Sequence, residues 1–408
     1  MISSGIDTAA LAGKKIREIE QRVFADYTKR PSISLMNGNG GLLLLYYSLY
    51  SHFQDEEHRI SAEMITDHLL DLTHEKITSS TYCDGLTGLA FLFNYLSEKG
   101  FFGHSITPFL AQCDEMLLSV FSKVLDKENI DYLHGALGMA VYFLDRYEGD
   151  EITGDRMKEI GQSMANRLED SIHSGIRNNQ FMSGQNDDDG RYFNCGMAHG
   201  LVSAIMFLSK YYTRVDGSDR IKKTLQAATT RLLQFKSGDP HTLAFFPSIV
   251  KVSNDTIQST YNIPLGWCYG DMTISIALYN AGMALEDLAL LNEATTLALE
   301  TTKRDTKQTS LVYDACFCHG SAGVAHIYKK WYRFTRHPDF KASYQFWIRK
   351  TLDLCSFEDG IGGYKKCTGD SWSNEYGILD GACGPALVLT DFLSNRNDTD
   401  WDRFFLLS

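Results

Sequence analysis

Seven short loops, each led by a glycine and each running into an apolar stretch, limit this chain to a repeated helical architecture. The leading glycines are Gly38, Gly85, Gly135, Gly200, Gly270, Gly320 and Gly381. Their spacings lie between 47 and 70 residues, room for two helices and two connections each. The segments after the glycines, such as Leu89-Ala90-Phe91-Leu92-Phe93, are almost wholly apolar, as a helix buried on most sides must be. The segments before them, such as Asp155 to Glu169 and Arg220 to Leu233, carry their charges on one face. Each repeat therefore reads as a hairpin of an exposed outer helix and a buried inner one.

An open solenoid needs polar end repeats, and the first and seventh repeats here are as apolar as the middle ones. The expectation is an all-α fold: an α/α toroid of seven helical hairpins, inner and outer rings, in a single domain over residues 1–408. Two segments depart from the helical pattern. Residues 237–262 contain Thr242-Leu243-Ala244-Phe245-Phe246 and Ile249-Val250-Lys251-Val252, which predict short strands in an excursion over the central cavity. Phe357 to Tyr376, rich in glycine and aromatics, predicts a loop at the same rim. Asp187-Asp188-Asp189-Gly190 reads as a solvated acidic loop that does not complete a calcium-loop pattern.

A glycine at the loop-to-helix junction permits positive φ and close backbone approach. With all inner helices entered the same way, their N-termini point to one end, where free N–H groups favour negative charge. The residues just before the leading glycines then line the rim: Asn37, Asp84, His134, His199, Tyr269, His319 and Asp380. Three are histidines, a residue type that titrates or ligates metal near neutral pH.

Cys268-Tyr269-Gly270 and Cys318-His319-Gly320 occupy equivalent places in successive repeats, 50 residues apart. Two thiolates and one imidazole make a zinc site with a fourth position open. The competing reading is three buried residues that pack or cap, and Cys316 is an alternative ligand two residues off the register. The remaining cysteines, Cys83, Cys113, Cys195, Cys355, Cys367 and Cys383, read as core or loop thiols. His199 is a candidate general acid or base, Asp131 a candidate partner for an imidazole, and Tyr269 a candidate hydrogen-bond donor.

The bulk numbers exclude some classes. A net charge of −12 disfavours nucleic acid and anionic membranes as partners and mildly favours a basic peptide. Nine cysteines behind an N-terminus without signal-peptide character point to thiols or metal ligands in a cytoplasmic protein.

The chain resembles the lanthionine synthetase C-like family. The marks are Gly196-Met197-Ala198-His199-Gly200, Gly266-Trp267-Cys268-Tyr269-Gly270, Cys318-His319-Gly320-Ser321-Ala322-Gly323 and the seven glycine-led helices, together covering essentially the whole chain. The resemblance implies an α/α toroid with one Zn2+ per chain held by Cys268, Cys318 and His319. It implies a catalytic His199, an assisting Asp131 and a supporting Tyr269. The length suggests a stand-alone cyclase. The implied activity joins precursor-peptide cysteines to dehydroalanine or dehydrobutyrine in the same dehydrated peptide, forming thioether rings. A dehydratase and an exporter at the inner face of the cell membrane are the implied partners. One departure stands out: the family pattern has an arginine shortly before the zinc cysteine, and Ser259 to Gly266 holds none. Alternatives are a zinc enzyme adding glutathione or another small thiol, a toroid glycosidase using Asp84 and Asp380, and a non-catalytic helical-repeat binding protein.

Overall fold

The computed structural model describes residues 7–75, 79–103, 105–127, 129–146, 151–175, 191–239, 241–253, 256–394 and 400–408. The acidic loop at 187–190 lies outside them. In chain order the helices are Thr8–Asp26 (α1), Asn39–Phe53 (α2), Glu56–Glu75 (α3), Leu86–Glu98 (α4), Thr107–Asp126 (α5), Ala136–Arg146 (α6) and Glu151–Ser174 (α7). They continue with Leu201–Arg214 (α8), Asp219–Leu233 (α9), Asp271–Leu285 (α10), Leu288–Thr301 (α11), Lys307–Ser310 (α12), Ser321–Thr335 (α13), Pro338–Asp353 (α14) and Cys383–Ser394 (α15). The fold is all-α and largely helical.

Two kinds of helix alternate. In α9 only Ile221, Thr224, Leu225, Ala228, Thr229 and Leu232 are buried, the three-and-four spacing of one apolar stripe. Its N-terminus is capped by Ser218 Oγ, which accepts from Ile221 N. By contrast α4 is buried without a break from Leu86 to Leu96, and α10 from Asp271 to Leu278. These buried helices start where the glycine repeat predicts: α2, α4, α6, α8, α10 and α13 each begin at the residue after the leading glycine, and α15 two residues after Gly381.

Of the two expected reasons for glycine, close approach holds at Gly38, Gly85, Gly200 and Gly320, and positive φ only at Gly270. Gly38, Gly85, Gly200 and Gly320 are extended, with φ between −107° and −154°. Space is what excludes a side chain there: a Cβ on Gly200 would lie 2.0 Å from Asn194 O. Gly270 alone among the seven has positive φ, at 95°.

The chain divides into two compact units, Met1–Cys113 with Ser310–Ser408, and Asp114–Thr309. In the first, α2 packs on α3 and α15, α15 also on α1, and α13 on α14 and α15. In the second, α8 and α10 pack together and are backed by α9 and α11, while α6 and α7 pack on each other and on α8.

Short strands interrupt both units. In the second, Arg191–Asn194 (β1), Ile249–Ser253 (β2) and Thr256–Ser259 (β3) form an antiparallel sheet in that order, with Phe193 opposite Val250 and Val250 opposite Ser259. The strand expected at Ile249–Val252 is there. Thr242–Phe246 instead runs through turns and bends, because Phe245 N and Phe246 N donate to the Asp271 carboxylate rather than to a ladder. In the first unit Lys366–Thr368 (β4) and Ser371–Ser373 (β5) pair as a hairpin where a plain loop was expected. Among the described residues no helix is long and apolar enough to cross a membrane.

A buried charge cluster closes the first unit. Asp402, fully buried, accepts from Lys330 Nζ at 2.7 Å and lies 3.0 Å from His326 Nε2; Lys329 Nζ donates to Asp391 Oδ2 at 2.7 Å. Burial alone would raise the pKa of Asp402, but Lys330 and His326 hold it well below the carboxylate range. A depressed folded pKa stabilises fully above the unfolded value of about 3.9, and that stability drains as pH falls below it. Asp402→Asn is therefore expected to cost about 3–5 kcal/mol at pH 7, since it leaves Lys330 buried without its countercharge. It should also flatten the acid limb of stability; urea denaturation at pH 7 and pH 3.5 checks both.

Candidate active site

One local pattern builds the loops ahead of the buried helices. A short polar residue six positions before the leading glycine turns back on the chain: Ser32, Ser79, Asn129, Asn194 and Asp314 each accept, through the side chain, from the backbone N–H two residues on. The carbonyl of the same residue accepts from the first N–H past the glycine in four of these loops: Asn39 to Ser32, Leu86 to Ser79, Ala136 to Asn129 and Ser321 to Asp314. The residue before each glycine is thus held by a knotted turn rather than by a flexible linker.

In the second unit these turns bring four expected residues together. His199 Nδ1 donates to Asp131 Oδ2 at 2.6 Å, and the other oxygen of Asp131 accepts from His134 N at 2.7 Å. Asp131 is buried and His199 half-buried, so the pair is shielded while the far side of the imidazole stays reachable. The rings of His134 and His199 stack with centroids 6.0 Å apart. The Tyr269 ring lies 6.3 Å from His199 between centroids. Asn194 Nδ2 donates to Tyr269 Oη at 3.0 Å while Asn194 Oδ1 accepts from Gly196 N. Cys268 O accepts from Met197 N at 2.9 Å and Ala198 N at 3.3 Å, tying the cysteine loop to the His199 loop. Trp267, fully buried, anchors the cysteine from behind.

In the first unit Cys318 and His319 sit on the loop into α13. Phe317 N and Cys318 N both donate to Leu379 O, at 3.0 and 2.9 Å. Asp314, Cys316 and His319 have donor atoms within 4.8 Å of one another. The Asp314 oxygens are occupied by Cys316 N and, from β4, Cys367 N, so this carboxylate staples the β4–β5 hairpin to the loop. Burial pushes the Cys316 thiol up to about 12, and it hydrogen-bonds His319.

The thiols divide along the same line. All nine cysteines are outside disulfides. Burial pushes Cys195, Cys316 and Cys383 up to about 12. Cys268 and Cys318 are half-buried on loops that lead into helix N-termini, as is His319, and this soft donor set is one that zinc prefers. Asp380, expected at the rim, accepts from Lys366 Nζ at 2.8 Å. Asn194, Asp314 and Arg304, all part of the loop framework, escaped the sequence reading; the first two carry the six-before-glycine signal, and Arg304 carries none.

The nisin cyclase structure superposes with a TM-score of 0.76 at 18% identity, covering 97% of this chain and 98% of that one. An α-1,6-mannanase of Salegentibacter sp. HEL1_6 reaches a TM-score of 0.45 at 10% identity over 95% of this chain and 100% of its own. An unsaturated glucuronyl hydrolase specific for heparin reaches 0.47 at 10% identity, over 96% and 98%. No curated protein matches the chain. The model of the lanthionine synthetase C-like protein family matches residues 31–406, and the chain belongs to that family.

Proposed function

We propose that this chain is a zinc-dependent lanthipeptide cyclase, adding cysteine thiols of a dehydrated precursor peptide to its dehydroalanine and dehydrobutyrine residues. The observation that carries the reading is the buried Asp131–His199 pair, flanked by Tyr269 and tied to the Cys268 loop, in a member of this family. The cofactor is one zinc ion per chain, and the donors that suit it are Cys268, Cys318 and His319. Zinc, when bound, supplies the Lewis acidity that lowers a thiol's pKa enough for thiolate to form at neutral pH.

The chain's own residues do the rest. Addition forms one C–S bond, breaks the Cα=Cβ π bond, and leaves an enolate whose α-carbon needs a proton. His199 delivers that proton from Nε2, the nitrogen that Asp131 leaves available by holding Nδ1. The proton lost by the thiol balances the one gained at carbon. Asp131 also stabilises the imidazolium before delivery, and Tyr269, oriented by Asn194, donates toward the developing negative charge. With two thiolates already among the donors, a sulfur nucleophile keeps its electron density.

The scaffold consistent with this chemistry is a seven-hairpin toroid in one domain, with residues 237–262 reaching over the cavity. A dehydratase and an exporter, in a complex at the inner membrane face of the cytoplasm, are the proposed partners.

The test is ring formation. Purified protein with about one zinc per chain, mixed with a dehydrated peptide, should consume one free thiol per ring without change in mass. Glutathione consumption, adding its mass to the peptide, would instead favour the intermolecular thiol-adding enzyme. Zinc-free protein, prepared without chelator, would sink the mechanism.

A further inference from the structure

The fifth repeat breaks the pattern that builds five of the other loops. Six residues before its glycine stands Pro264, which has no side-chain acceptor, and Gly270 takes φ 95° where Gly38, Gly85, Gly200 and Gly320 are extended. Yet this loop carries Cys268. Something else must hold it.

What holds it is a buried pair from outside the loop. Arg304, in the turn after α11, is 8% exposed, and Asp271, the first residue of α10, is 1% exposed. Arg304 Nη2 donates to Ile263 O at 2.5 Å and its Nε to Thr309 O at 2.8 Å, while Nη1 lies 3.7 Å from Asp271 Oδ2. The Asp271 oxygens accept from Phe245 N at 3.0 Å and Phe246 N at 3.1 Å. Both ends of the segment 263–271 are therefore fastened to one pair of charges. The middle closes on itself, since Gly270 packs against the Ile263 side chain and Pro264 O. With Cys268 O held from the opposite side by Met197 and Ala198, the backbone that aims the thiol is fixed at each end and across its width.

We propose that Arg304, acting with Asp271, is a positioning residue for Cys268, supplying from 41 residues downstream the anchor that this repeat lacks in its own sequence. It also accounts for the missing arginine: a guanidinium does reach the stretch before Trp267, from another part of the chain. A buried ion pair is an uncertain source of stability, and an apolar pair of similar volume would fill the space as well. A planar guanidinium does what an apolar residue cannot: it fixes two carbonyls at set angles and places a positive charge beside the Asp271 carboxylate. The inference rests on Cys268 being a metal ligand.

The experiment separates the two ideas. The metal-free protein is loaded with Co2+, whose visible bands and sulfur-to-metal charge-transfer band report thiolate ligation and its geometry. The parent is expected to show both. Arg304→Met should weaken Zn2+ affinity, measured against a chromophoric chelator, by about 10–100-fold and should alter the cobalt bands, as loss of an outer-shell partner does. Asp271→Asn should move both readouts the same way. Arg304→Lys, which keeps one carbonyl contact and the charge, should fall between parent and Arg304→Met, and it decides the matter if Arg304→Met does not fold. Unchanged affinity and an unchanged cobalt spectrum in a folded Arg304 variant, with only the denaturation midpoint lowered, would overturn the positioning role. A parent that takes up cobalt without the charge-transfer band would instead overturn the ligand set itself.

Discussion

Cys268→Ala and Cys318→Ala are each expected to yield a folded protein with far less than one zinc per chain and no measurable ring formation. Removing an outer partner of a metal ligand costs about 10–100-fold in affinity, and removing a ligand costs more. With three protein donors proposed, the loss of one leaves two, too few to hold zinc against a competing chelator. The effect should be selective. Cys383→Ala, at a buried thiol pushed up to about 12, should keep its zinc and lose only packing. Zinc per chain by elemental analysis, alongside circular dichroism, distinguishes the two classes. Equal retention of zinc in Cys268→Ala and Cys383→Ala would remove Cys268 from the ligand set.

His199→Ala separates chemistry from metal binding. The imidazole is held by Asp131 through Nδ1, with the His134 and Tyr269 rings both close by. Its removal should leave zinc at one per chain and cut the rate of cyclisation by about 10²–10⁴-fold, the usual contribution of a general acid or base. Asp131→Asn should fall in the same direction by less, because an amide still fills the space but no longer stabilises an imidazolium. Because Asp131 also accepts from His134 N, that variant must be checked for an intact loop. Loss of zinc in His199→Ala, or an unaltered rate, would contradict the assignment. Stereochemistry gives a second reading: if His199 delivers the α-proton, residual product should form with mixed configuration.

Much of this was legible because the decisive residues are repeated. The glycines predicted where seven buried helices start, and each starts at or within two residues of the expected place. Period carries such information without any contact being known. His199 and Tyr269 stand out through the same register, one before their glycines, whereas Asp131, three before His134, stands out by its residue type and by the family resemblance. Features made by single long-range bonds left no trace. Thr242–Phe246 has strand composition, but two of its N–H groups are claimed by Asp271, a residue 25 or 26 positions away. The β4–β5 hairpin is three residues a side, too short for alternation to register. Arg304 looks like any charged residue at a helix end until its carbonyl partners are known. The close backbone approach expected of the glycines is there, as the crowding of Gly200 by Asn194 O shows, whereas positive φ is taken up by Gly270 alone among the seven.

The discontinuity of the first unit bears on the order in which the molecule can be made. Residues 114–309 form a continuous stretch with their own packed interior, able to collapse as soon as they leave the ribosome. Residues 1–113 emerge earlier but belong with 310–408. Tyr82 Oη donates to Phe404 O, the Phe91 ring packs on Phe404, and Tyr95 Oη donates to Asp400. Until translation reaches those positions, α2 and α4 present largely apolar surface to solvent. Nascent chains of this design wait, half-clothed, for nearly two hundred residues of intervening sequence. The interval is one in which a holdase chaperone would find its substrate, and a slowed ribosome near codon 400 would lengthen it.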